Sequence, residues 1–306
     1  MPLDIIAMGE PLVELNQAEP GGAYLPGFGG DTSNAVIAAA RSGARTGYFT
    51  AVGGDAFGRS LLNLWETEGV DATRVIVHAT APTGIYFVTH TSNGHEFSYL
   101  RAGSAASRLT PLDIPAKYIG SARVLHLSGI SQAISASAAD AGFAAIDAAR
   151  RAGCRVSYDT NLRLKLWPLA RARAIMHEAM RSADIALPGL DDAYQLTGLL
   201  DPDAIADFYL RLGPQVVALT LGSQGSLIAT PQRRERVPSI KVKAADATGA
   251  GDAFDGAFLA EYLATGDPFA AGRYANAAAA LSTLGYGAVA PLPRREAVER
   301  FLRDSG

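Results

Sequence analysis

Short aliphatic runs alternate with longer helix-like stretches along most of this chain, and that alternation limits the fold more than any other feature. Strands are predicted at Ile5–Met8, Thr46–Val52, Val124–Ser128, Arg155–Asp159, Ile185–Leu187, Val216–Leu221 and Gly225–Ala229. Helices are predicted at Thr32–Ser42, Gly58–Glu68, Ser135–Ala152, Pro168–Ser182, Asp191–Thr197 and Asp203–Leu212. This order predicts an α/β protein in which helices cover both faces of a parallel sheet. Such sheets bind their ligands at the carboxyl ends of the strands.

Two stretches depart from this alternation. Residues 10–28 and 82–104 are rich in Gly, Pro, Thr, Tyr and Phe, and their side chains alternate as they do in strands. They predict a small β-sheet that protrudes from the main domain. It is either a lid over a ligand site or a pair of surface hairpins without a role. The aromatic residues and the arginine on one side favour the lid.

The composition excludes several classes of protein. Of the 306 residues, 48% are hydrophobic and 19% are charged, which is enough apolar material for one large domain or two smaller ones. The formal net charge is −3 and no basic run exceeds two residues, so we expect no nucleic-acid partner. The single Cys154 cannot form an internal disulfide. No stretch has the roughly 20 apolar residues of a membrane helix, and the N-terminus lacks a signal-peptide pattern. We therefore expect a cytoplasmic protein without a membrane partner.

A glycine-rich run before an apolar helix is the strongest functional signal. It reads Asp246-Ala247-Thr248-Gly249-Ala250-Gly251-Asp252-Ala253-Phe254, and the helix is predicted over Ala253–Ala264. The backbone N–H groups of such a loop, together with the helix dipole, attract an anion such as a phosphate. Asp252 has two interpretations. It either caps the helix or takes a proton from a hydroxyl that attacks the phosphate, and the residues alone leave both open.

Two further motifs could contact a ligand, although each also has an ordinary structural explanation. In Gly29-Gly30-Asp31-Thr32-Ser33-Asn34, Gly30 would let a ligand approach the backbone and Asn34 could bind a polyol hydroxyl. The alternative is a tight turn with a helix cap. Arg101 follows Tyr99 by two residues and offers a planar set of donors for a carboxylate or phosphate. The alternative is an exposed arginine on an edge strand.

Two loops follow predicted strands of the main sheet. Asp159-Thr160-Asn161-Leu162-Arg163 comes after the strand Arg155–Asp159, so Arg163 could meet a phosphate or an acidic substrate. The alternative is a solvated loop. The run from residue 219 to residue 226 could surround the phosphates or ribose of a nucleotide, but a hairpin turn is the simpler interpretation.

Together these motifs resemble the ribokinase-like (PfkB-type) carbohydrate kinases. The run Asp246–Phe254 is similar to the C-terminal signature of that family, Gly29–Gly43 to its N-terminal signature, and Val52–Gly58 to a third recurring stretch. The order and spacing agree from residue 5 to about residue 292. The resemblance implies one three-layer α/β/α domain over residues 1–306, with a mostly parallel central sheet. The protruding sheet of residues 10–28 and 82–104 would be its lid.

Within the family, the sequence is most similar to the kinases that act on 2-keto-3-deoxygluconate. The matching features are Gly9–Leu12, Tyr99–Ala105, Leu127–Ile130 and the segment Asp159–Trp167. The resemblance implies transfer of the γ-phosphate of ATP to the 6-hydroxyl of this sugar acid. Asp252 would be the base, and the amides of Gly249, Ala250 and Gly251 would hold the charge that develops during transfer.

The resemblance also implies binding residues. Contacts to the sugar acid are expected from Gly30, Asn34, Tyr86, Tyr99, Arg101, Arg163 and Asp252. Contacts to ATP are expected from Asn161, Arg163, Thr220, Gly222, Ser223, Gly225, Gly249, Ala250, Gly251 and Asn276. The family usually has Asn-x-x-Glu near the waters of Mg²⁺, but here Gly189 and Asp192 stand at these positions. Asp192 is therefore expected to hold Mg²⁺ through water, and activation by a monovalent cation stays open.

Other functions fit some of the same motifs. A kinase for a neutral sugar such as fructose or ribose, or for a nucleoside, would not need the pair Arg101 and Arg163. A non-catalytic sugar- or nucleotide-binding regulator would not need Asp252, and a nicotinamide-dependent dehydrogenase would need a fingerprint that is missing. We also expect a homodimer or a higher even-numbered assembly, because the small sheet carries apolar residues that a monomer would cover poorly. These residues are Ile85, Phe87, Phe97 and Leu100.

Overall fold

The computed structural model describes residues 2–17, 19–91 and 94–305. The strands are β1 (Ile5–Met8), β2 (Leu12–Gln17), β3 (Tyr24–Gly29), β4 (Thr46–Phe49), β5 (Ala51–Gly53), β6 (Ile76–His78), β7 (Gly84–Thr91), β8 (Gly94–Leu100), β9 (Val124–Ser128), β10 (Arg155–Asp159), β11 (Ile185–Leu187), β12 (Val216–Thr220), β13 (Ser226–Ala229) and β14 (Arg234–Val237). The helices are α1 (Asp31–Arg41), α2 (Ala56–Thr67), α3 (Ala116–Ile119), α4 (Gly129–Ala133), α5 (Ala136–Arg151), α6 (Leu169–Arg181), α7 (Leu190–Thr197), α8 (Pro202–Leu212), α9 (Ala250–Thr265), α10 (Pro268–Ser282) and α11 (Arg295–Ser305).

The central sheet contains eight strands in the order β14-β13-β12-β11-β10-β9-β1-β4. The pairs from β12 to β4 are parallel, whereas β13 and β14 extend the sheet antiparallel at one edge. Parallel neighbours require crossover connections, and helices supply most of them. The carboxyl ends of six strands therefore share one edge of the sheet, where a ligand site is expected.

Helices cover both faces of this sheet because the side chains of its strands alternate. On β1, Ile6 and Met8 pack into a core with α5, α6 and α8. Ile5 points to the other face and packs with α9 and α10. Ala7 packs there with α1 and α2. This is the predicted three-layer α/β architecture with a mostly parallel sheet. Among the described residues, no helix is both long and apolar enough to span a lipid bilayer.

The small sheet has four strands in the order β3-β2-β7-β8, and they come from the two stretches that interrupted the alternation. The register places Tyr86 opposite both Glu14 and Tyr99, so these three side chains share one face. Phe97, opposite Val88, lies on this same face. Phe97 is 37% exposed there. A lid function of this sheet stays a prediction, as does the single domain over residues 1–306.

The predicted strand Thr46–Val52 is in fact two strands. Its first half is β4 of the central sheet, whereas its second half is β5, which pairs with β6 in a separate two-stranded sheet. The break falls at buried Thr50, whose hydroxyl donates to the backbone oxygen of Gly9 at 2.7 Å. The strand β14 was not predicted, because its sequence RERV carries three charges and only one aliphatic residue. The predicted bounds of β1, β9, β10 and β11 are the observed ones. The predicted helix Ala253–Ala264 in fact begins three residues earlier, at Ala250, and the other predicted elements differ by one or two residues.

Candidate active site

A cavity of about 950 Å³ opens at the carboxyl ends of the parallel strands. Segments that follow β10, β11 and β12 line it, together with the first turns of α1 and α9, and the small sheet contributes another wall. Among the predicted site residues, the cavity brings together Gly30, Asn34, Tyr86, Tyr99, Arg101, Asn161, Arg163, Asp192, Thr220, Gly222, Gly249, Ala250, Gly251 and Asp252.

The first turn of α9 faces this cavity. The cap residue is Gly249, which has φ 75°, and a Cβ atom there would lie 3.0 Å from the Cβ of Ala288. The hydrogen-bond ladder of the helix begins with Ala253 N–H, which donates to Gly249 O at 2.8 Å. The N–H groups of Gly251 and Asp252 precede that bond and are left for a ligand or solvent. Asp252 is the third helical residue, so its interpretation as the helix cap is wrong.

The Asp252 carboxylate is held by the neighbouring helix. Asn34 Nδ2 in α1 donates to Asp252 Oδ2 at 2.7 Å. The two helices can approach this closely because α9 has Gly256 at the contact, where a Cβ atom would lie 2.0 Å from the backbone oxygen of Ala35. The two glycine motifs, far apart in the chain, therefore meet at one acid.

The surroundings of Asp252 favour its protonated form. Burial, followed by the charge of Asp31, raises the pKa of Asp252 to about 7. The hydrogen bond from Asn34 and the charge of Arg163 lower the pKa but do not cancel these effects. A carboxyl group with a pKa near neutrality can both accept and release a proton under ordinary conditions, as a general base must.

Sequence reasoning assigned no role to three acids beside Asp252, namely Asp31, Asp159 and Asp255. Asp255 lies one turn further along α9, is 4% exposed, and its carboxyl group faces that of Asp159. Burial raises the pKa of both groups, which favours a shared proton over two adjacent charges. The one signal in the sequence was a second acid three residues after Asp252 in an apolar helix.

Asn161 connects two of these acids. Its side-chain Nδ2 donates to Asp31 Oδ2 at 3.0 Å, and its backbone N–H donates to Asp159 Oδ1 at 3.1 Å. Its φ of 31° is the only positive value among the described residues other than glycine. Asparagine adopts such a backbone more easily than most residues do. These bonds fix the loop after β10 at the edge of the cavity.

The small sheet presents aromatic rings and an arginine to the cavity. The rings of Tyr86 and Tyr99 stack with their centres 5.9 Å apart. The Arg101 guanidinium carbon lies 5.6 Å from the ring centre of Tyr99, and the group forms an ion pair with Glu10. Glu10 belongs to a motif quoted above but had no predicted role. The predicted substrate residues of the small sheet therefore share one wall.

The predicted nucleotide residues fall into two groups. Asn161, Thr220 and Gly222 line the cavity together with the loop before α9, whereas Ser223, Gly225 and Asn276 are not among its lining residues. Asn276 is 5% exposed, and its Nδ2 donates to Val237 O at 2.9 Å. Gly225 is required by the fold, because a Cβ atom there would lie 2.1 Å from Val237 O. The roles of all these residues toward ATP stay predictions.

Asp192 lies where the resemblance suggested a magnesium contact. Its Oδ2 accepts a hydrogen bond from Leu162 N–H at 2.8 Å, and it lines the cavity. A Cβ atom at Gly189 would lie 3.7 Å from Thr220 Oγ1 and 4.0 Å from Asp192 Oδ2, which are ordinary van der Waals distances. No group of three or more His, Cys, Asp or Glu side chains in the described part could hold a metal. Mg²⁺ typically binds one or two carboxylates and otherwise phosphates and water, and Asp192 offers one such carboxylate.

A family model described as pfkB family carbohydrate kinase matches residues 5–295. The chain belongs to this family. A pfkB-family kinase transfers a phosphoryl group from ATP to an alcohol group of a carbohydrate, so the predictions of the family, of a phosphotransferase and of ATP use are confirmed. The regulator and dehydrogenase alternatives are not supported.

Relatives of this pfkB-family kinase include enzymes for two kinds of sugar. It is 36% identical to the 2-dehydro-3-deoxygluconokinase of Thermoproteus tenax, over 98% of this chain and 94% of the relative. It is 33% identical to the 2-dehydro-3-deoxygluconokinase of Bacillus subtilis, over 99% of this chain and 96% of the relative. It is also 32% identical to Fructokinase-1 of Oryza sativa, over 98% of each chain. The relatives at similar identity thus include a kinase for a sugar acid and a kinase for a neutral sugar.

Solved structures confirm the ribokinase-like α/β fold. A PfkB protein from a Polaromonas species has a TM-score of 0.89 and 32% identity, with 97% of this chain and 99% of the other covered. The fructokinase of Vibrio cholerae with fructose, ADP and calcium has a TM-score of 0.88 and 30% identity over 98% and 99%. The aminoimidazole riboside kinase of Salmonella enterica, complexed with aminoimidazole riboside and an ATP analogue, has a TM-score of 0.87 and 26% identity, with 98% of this chain and 99% of the other covered.

Proposed function

We propose that this kinase phosphorylates 2-keto-3-deoxygluconate, also called 2-dehydro-3-deoxygluconate, at its 6-hydroxyl. The observation that carries the proposal is Arg101 in the cavity wall. Its side chain is 12% exposed, its Nη2 pairs with Glu10 Oε2, and its buried Nε makes no hydrogen bond within the described residues. Buried N–H groups normally have acceptors, and a carboxylate offers two to a guanidinium. The two 2-dehydro-3-deoxygluconokinase relatives support the same substrate.

Asp252 is the general base in this proposal. The sugar hydroxyl lies between its carboxylate and the γ-phosphorus of ATP. The carboxylate takes the hydroxyl proton while the oxygen bonds to phosphorus, and ADP leaves with the electrons of the broken bond. Asn34 orients the base through its Nδ2. Its Oδ1 is buried and makes no hydrogen bond within the described residues, so it can accept one from the sugar.

The amides of Gly249 and Gly251 hold the charge that builds up on the transferring group. The N–H of Ala250, the third predicted donor, already donates to Ala247 O at 3.2 Å. Donors fixed at that place stabilise the transition state without reorganisation, which is where such catalysis gains most. Arg163 follows β10 and lines the same cavity, and its charge acts on both Asp252 and Asp192. It therefore serves the transferring phosphoryl group in this proposal, while Arg101 binds the substrate carboxylate.

Mg²⁺ would be held by the nucleotide phosphates and, through water, by Asp192. When bound, it would neutralise phosphate charge. Asn161, Thr220 and Gly222 lie along the same wall and would contact ATP. A requirement for a monovalent cation stays open, and a cytoplasmic location stays a prediction from the sequence.

A kinase for a neutral sugar is the second candidate. Two observations favour it: the fructokinase relatives, and the ion pair that already compensates the charge of Arg101. Fructose would then use Asn34 and Asp252 in the same way and would leave Arg101 to Glu10. The chemistry at the phosphate would be unchanged.

Substitution of the two arginines separates these roles. For Arg101→Ala, we expect a higher KM for 2-keto-3-deoxygluconate, with a penalty of about 2–5 kcal/mol, because a charged hydrogen-bonded partner is lost. A neutral analogue should be affected far less. For Arg163→Ala, kcat and kcat/KM should fall together for charged and neutral substrates alike.

The matched control is Arg108→Ala, since Arg108 is exposed and its Nε donates only weakly to Gly103 O at 3.3 Å. This variant should keep normal kinetics. If Arg101→Ala changes the KM values of acid and neutral substrates equally, Arg101 does not bind the carboxylate.

We also infer that the kinase forms a homodimer through the outer face of the small sheet. Tyr24, Ile85, Phe87 and Leu100 share that face by their register. Tyr24 is 40% exposed and Leu100 is 64% exposed. Exposed apolar side chains of this size on an open sheet are typical of an interface.

A further inference from the structure

Glu10 is a buried carboxyl group at the cavity that the proposed mechanism does not use. It follows β1 by two residues, is 1% exposed and lines the cavity. Ser104 Oγ donates to its Oε1 at 2.5 Å, and its Oε2 forms the ion pair with Arg101. One acid of the main domain therefore contacts two residues that follow the last strand of the small sheet.

The charge of Glu10 depends on one partner. The other titratable groups that act on it or are affected by it are Asp31 at the start of α1 and the hydroxyl of Tyr48 in β4. Burial and Asp31 raise the pKa of Glu10, whereas Arg101 and Ser104 lower it, and the net direction is upward. Arg101 is thus the group whose positive charge favours the ionised form of Glu10.

A bound sugar acid would disturb this balance. Without substrate, Glu10 and Arg101 contribute one negative and one positive charge. A second carboxylate on Arg101 leaves two negative charges to one positive charge in a closing cavity, and an uncompensated buried charge is costly. A proton on Glu10 restores the balance, and the carboxyl group can still accept the hydrogen bond from Ser104.

We propose that Glu10 takes up a proton from solvent when the carboxylate of a sugar acid binds Arg101, so that Glu10 determines how acids and neutral sugars respond to pH. The inference rests on the proposed substrate class. It predicts that affinity for the acid rises as the pH falls, because the complex holds a proton that the free enzyme lacks. Affinity for a neutral sugar should not follow this trend.

Isothermal titration calorimetry tests the proposal in buffers of different ionisation enthalpy, at pH 7 and without ATP. All proteins carry Asp252→Asn, so that the proton of the base does not contribute. We expect 2-keto-3-deoxygluconate to bind with uptake of a measurable fraction of a proton, up to one. Fructose, or the amide of the same acid, should bind without uptake.

The decisive variant is Glu10→Gln, which keeps the acceptor for Ser104 and should bind the acid without proton uptake. Its matched control is Glu14→Gln. Glu14 is also buried and accepts a hydrogen bond from Tyr86 at the same wall, but no ion pair joins it to Arg101 in the described residues. This control should keep the uptake.

Two results would overturn the inference. If the protein with Glu10 and the Glu10→Gln variant take up the same fraction of a proton when the acid binds, the proton goes to another group. No uptake by the protein with Glu10 would show that its charge does not change. If instead the acid fails to bind at all while a neutral sugar binds, the proposed substrate is wrong and this inference falls with it.

Discussion

Asp252 has to be ionised to accept a proton, and its surroundings oppose ionisation. Burial and Asp31 raise the pKa of Asp252 to about 7. We therefore expect kcat/KM to fall about tenfold for each pH unit below that value, because only the ionised fraction can act as the base. A pH–rate profile measures this. A profile that stays flat down to pH 5 would contradict the assignment.

Asp252→Asn should lower kcat by about 10²–10⁴-fold, as is typical for the loss of a general base, and should leave binding of ATP and sugar largely intact.

The same substitution should also change the free energy of unfolding, by an amount that depends on pH. The folded-state pKa of about 7 lies above the ordinary value of 3.8, so the folded protein binds a proton that the unfolded chain has lost. The protein with Asp252 is therefore destabilised as the pH rises through this range.

The Asp252→Asn variant has no carboxyl group at this position, so it does not lose this stability as the pH rises. The free energy of unfolding of the variant, relative to the protein with Asp252, should therefore increase from pH 4 to pH 8. Denaturant unfolding at both pH values measures the difference. Near-normal kcat in the variant would remove Asp252 from catalysis.

The first turn of α9 contains two glycines, Gly249 and Gly251, that have different structural roles. Gly249 has a positive φ and contacts Ala288, so the fold requires it. Gly251 has no atom within 4 Å of an added Cβ, and its φ is not positive. A side chain at Gly251 therefore does not force a different backbone, and it affects only the space for a ligand.

We thus expect Gly251→Val to fold but to lose phosphoryl transfer by at least about 10²-fold, similar to the loss of one oxyanion donor. Circular dichroism, thermal melting and a kinase assay on the same sample would measure both effects. Gly54→Ala is the control, because a Cβ there has its nearest neighbour at 3.5 Å and lies outside the cavity. An active Gly251→Val variant would show that this loop does not hold the phosphate. An unfolded variant would show that the fold itself requires glycine at this position.

The buried strands were predictable, because β1, β9, β11 and β12 are short, nearly continuous aliphatic runs between longer helical stretches, as in a parallel sheet covered on both faces. The charged β14 was not, since its place at the edge of the sheet depends on pairing with β13 rather than on its own side chains. The site shows the same limit. Asp252 and Asn34 were found from local motifs, but their hydrogen bond, and the acids Asp31 and Asp255 beside it, arise only when α1 packs against α9.

At the scale of the whole molecule, the outer face of the small sheet predicts a dimer. Light scattering at micromolar concentration should give twice the mass of the 31.9 kDa chain. Leu100→Glu should shift the protein toward the monomer, because it places a charge in an apolar interface. Leu112→Glu is the control, since Leu112 is 97% exposed and lies outside the small sheet. A monomeric protein with Leu100 in place would contradict the interface.

We propose that this pfkB-family kinase acts on a sugar acid. The most direct measurement is a coupled assay of ADP release with ATP and Mg²⁺, across a panel of sugar acids and neutral sugars. We expect the highest kcat/KM for 2-keto-3-deoxygluconate, with fructose and ribose well below it, because Arg101 meets a carboxylate only in the acids. A preference for fructose or ribose over every acid in the panel would contradict the claim, although the phosphotransfer chemistry at Asp252 would stand.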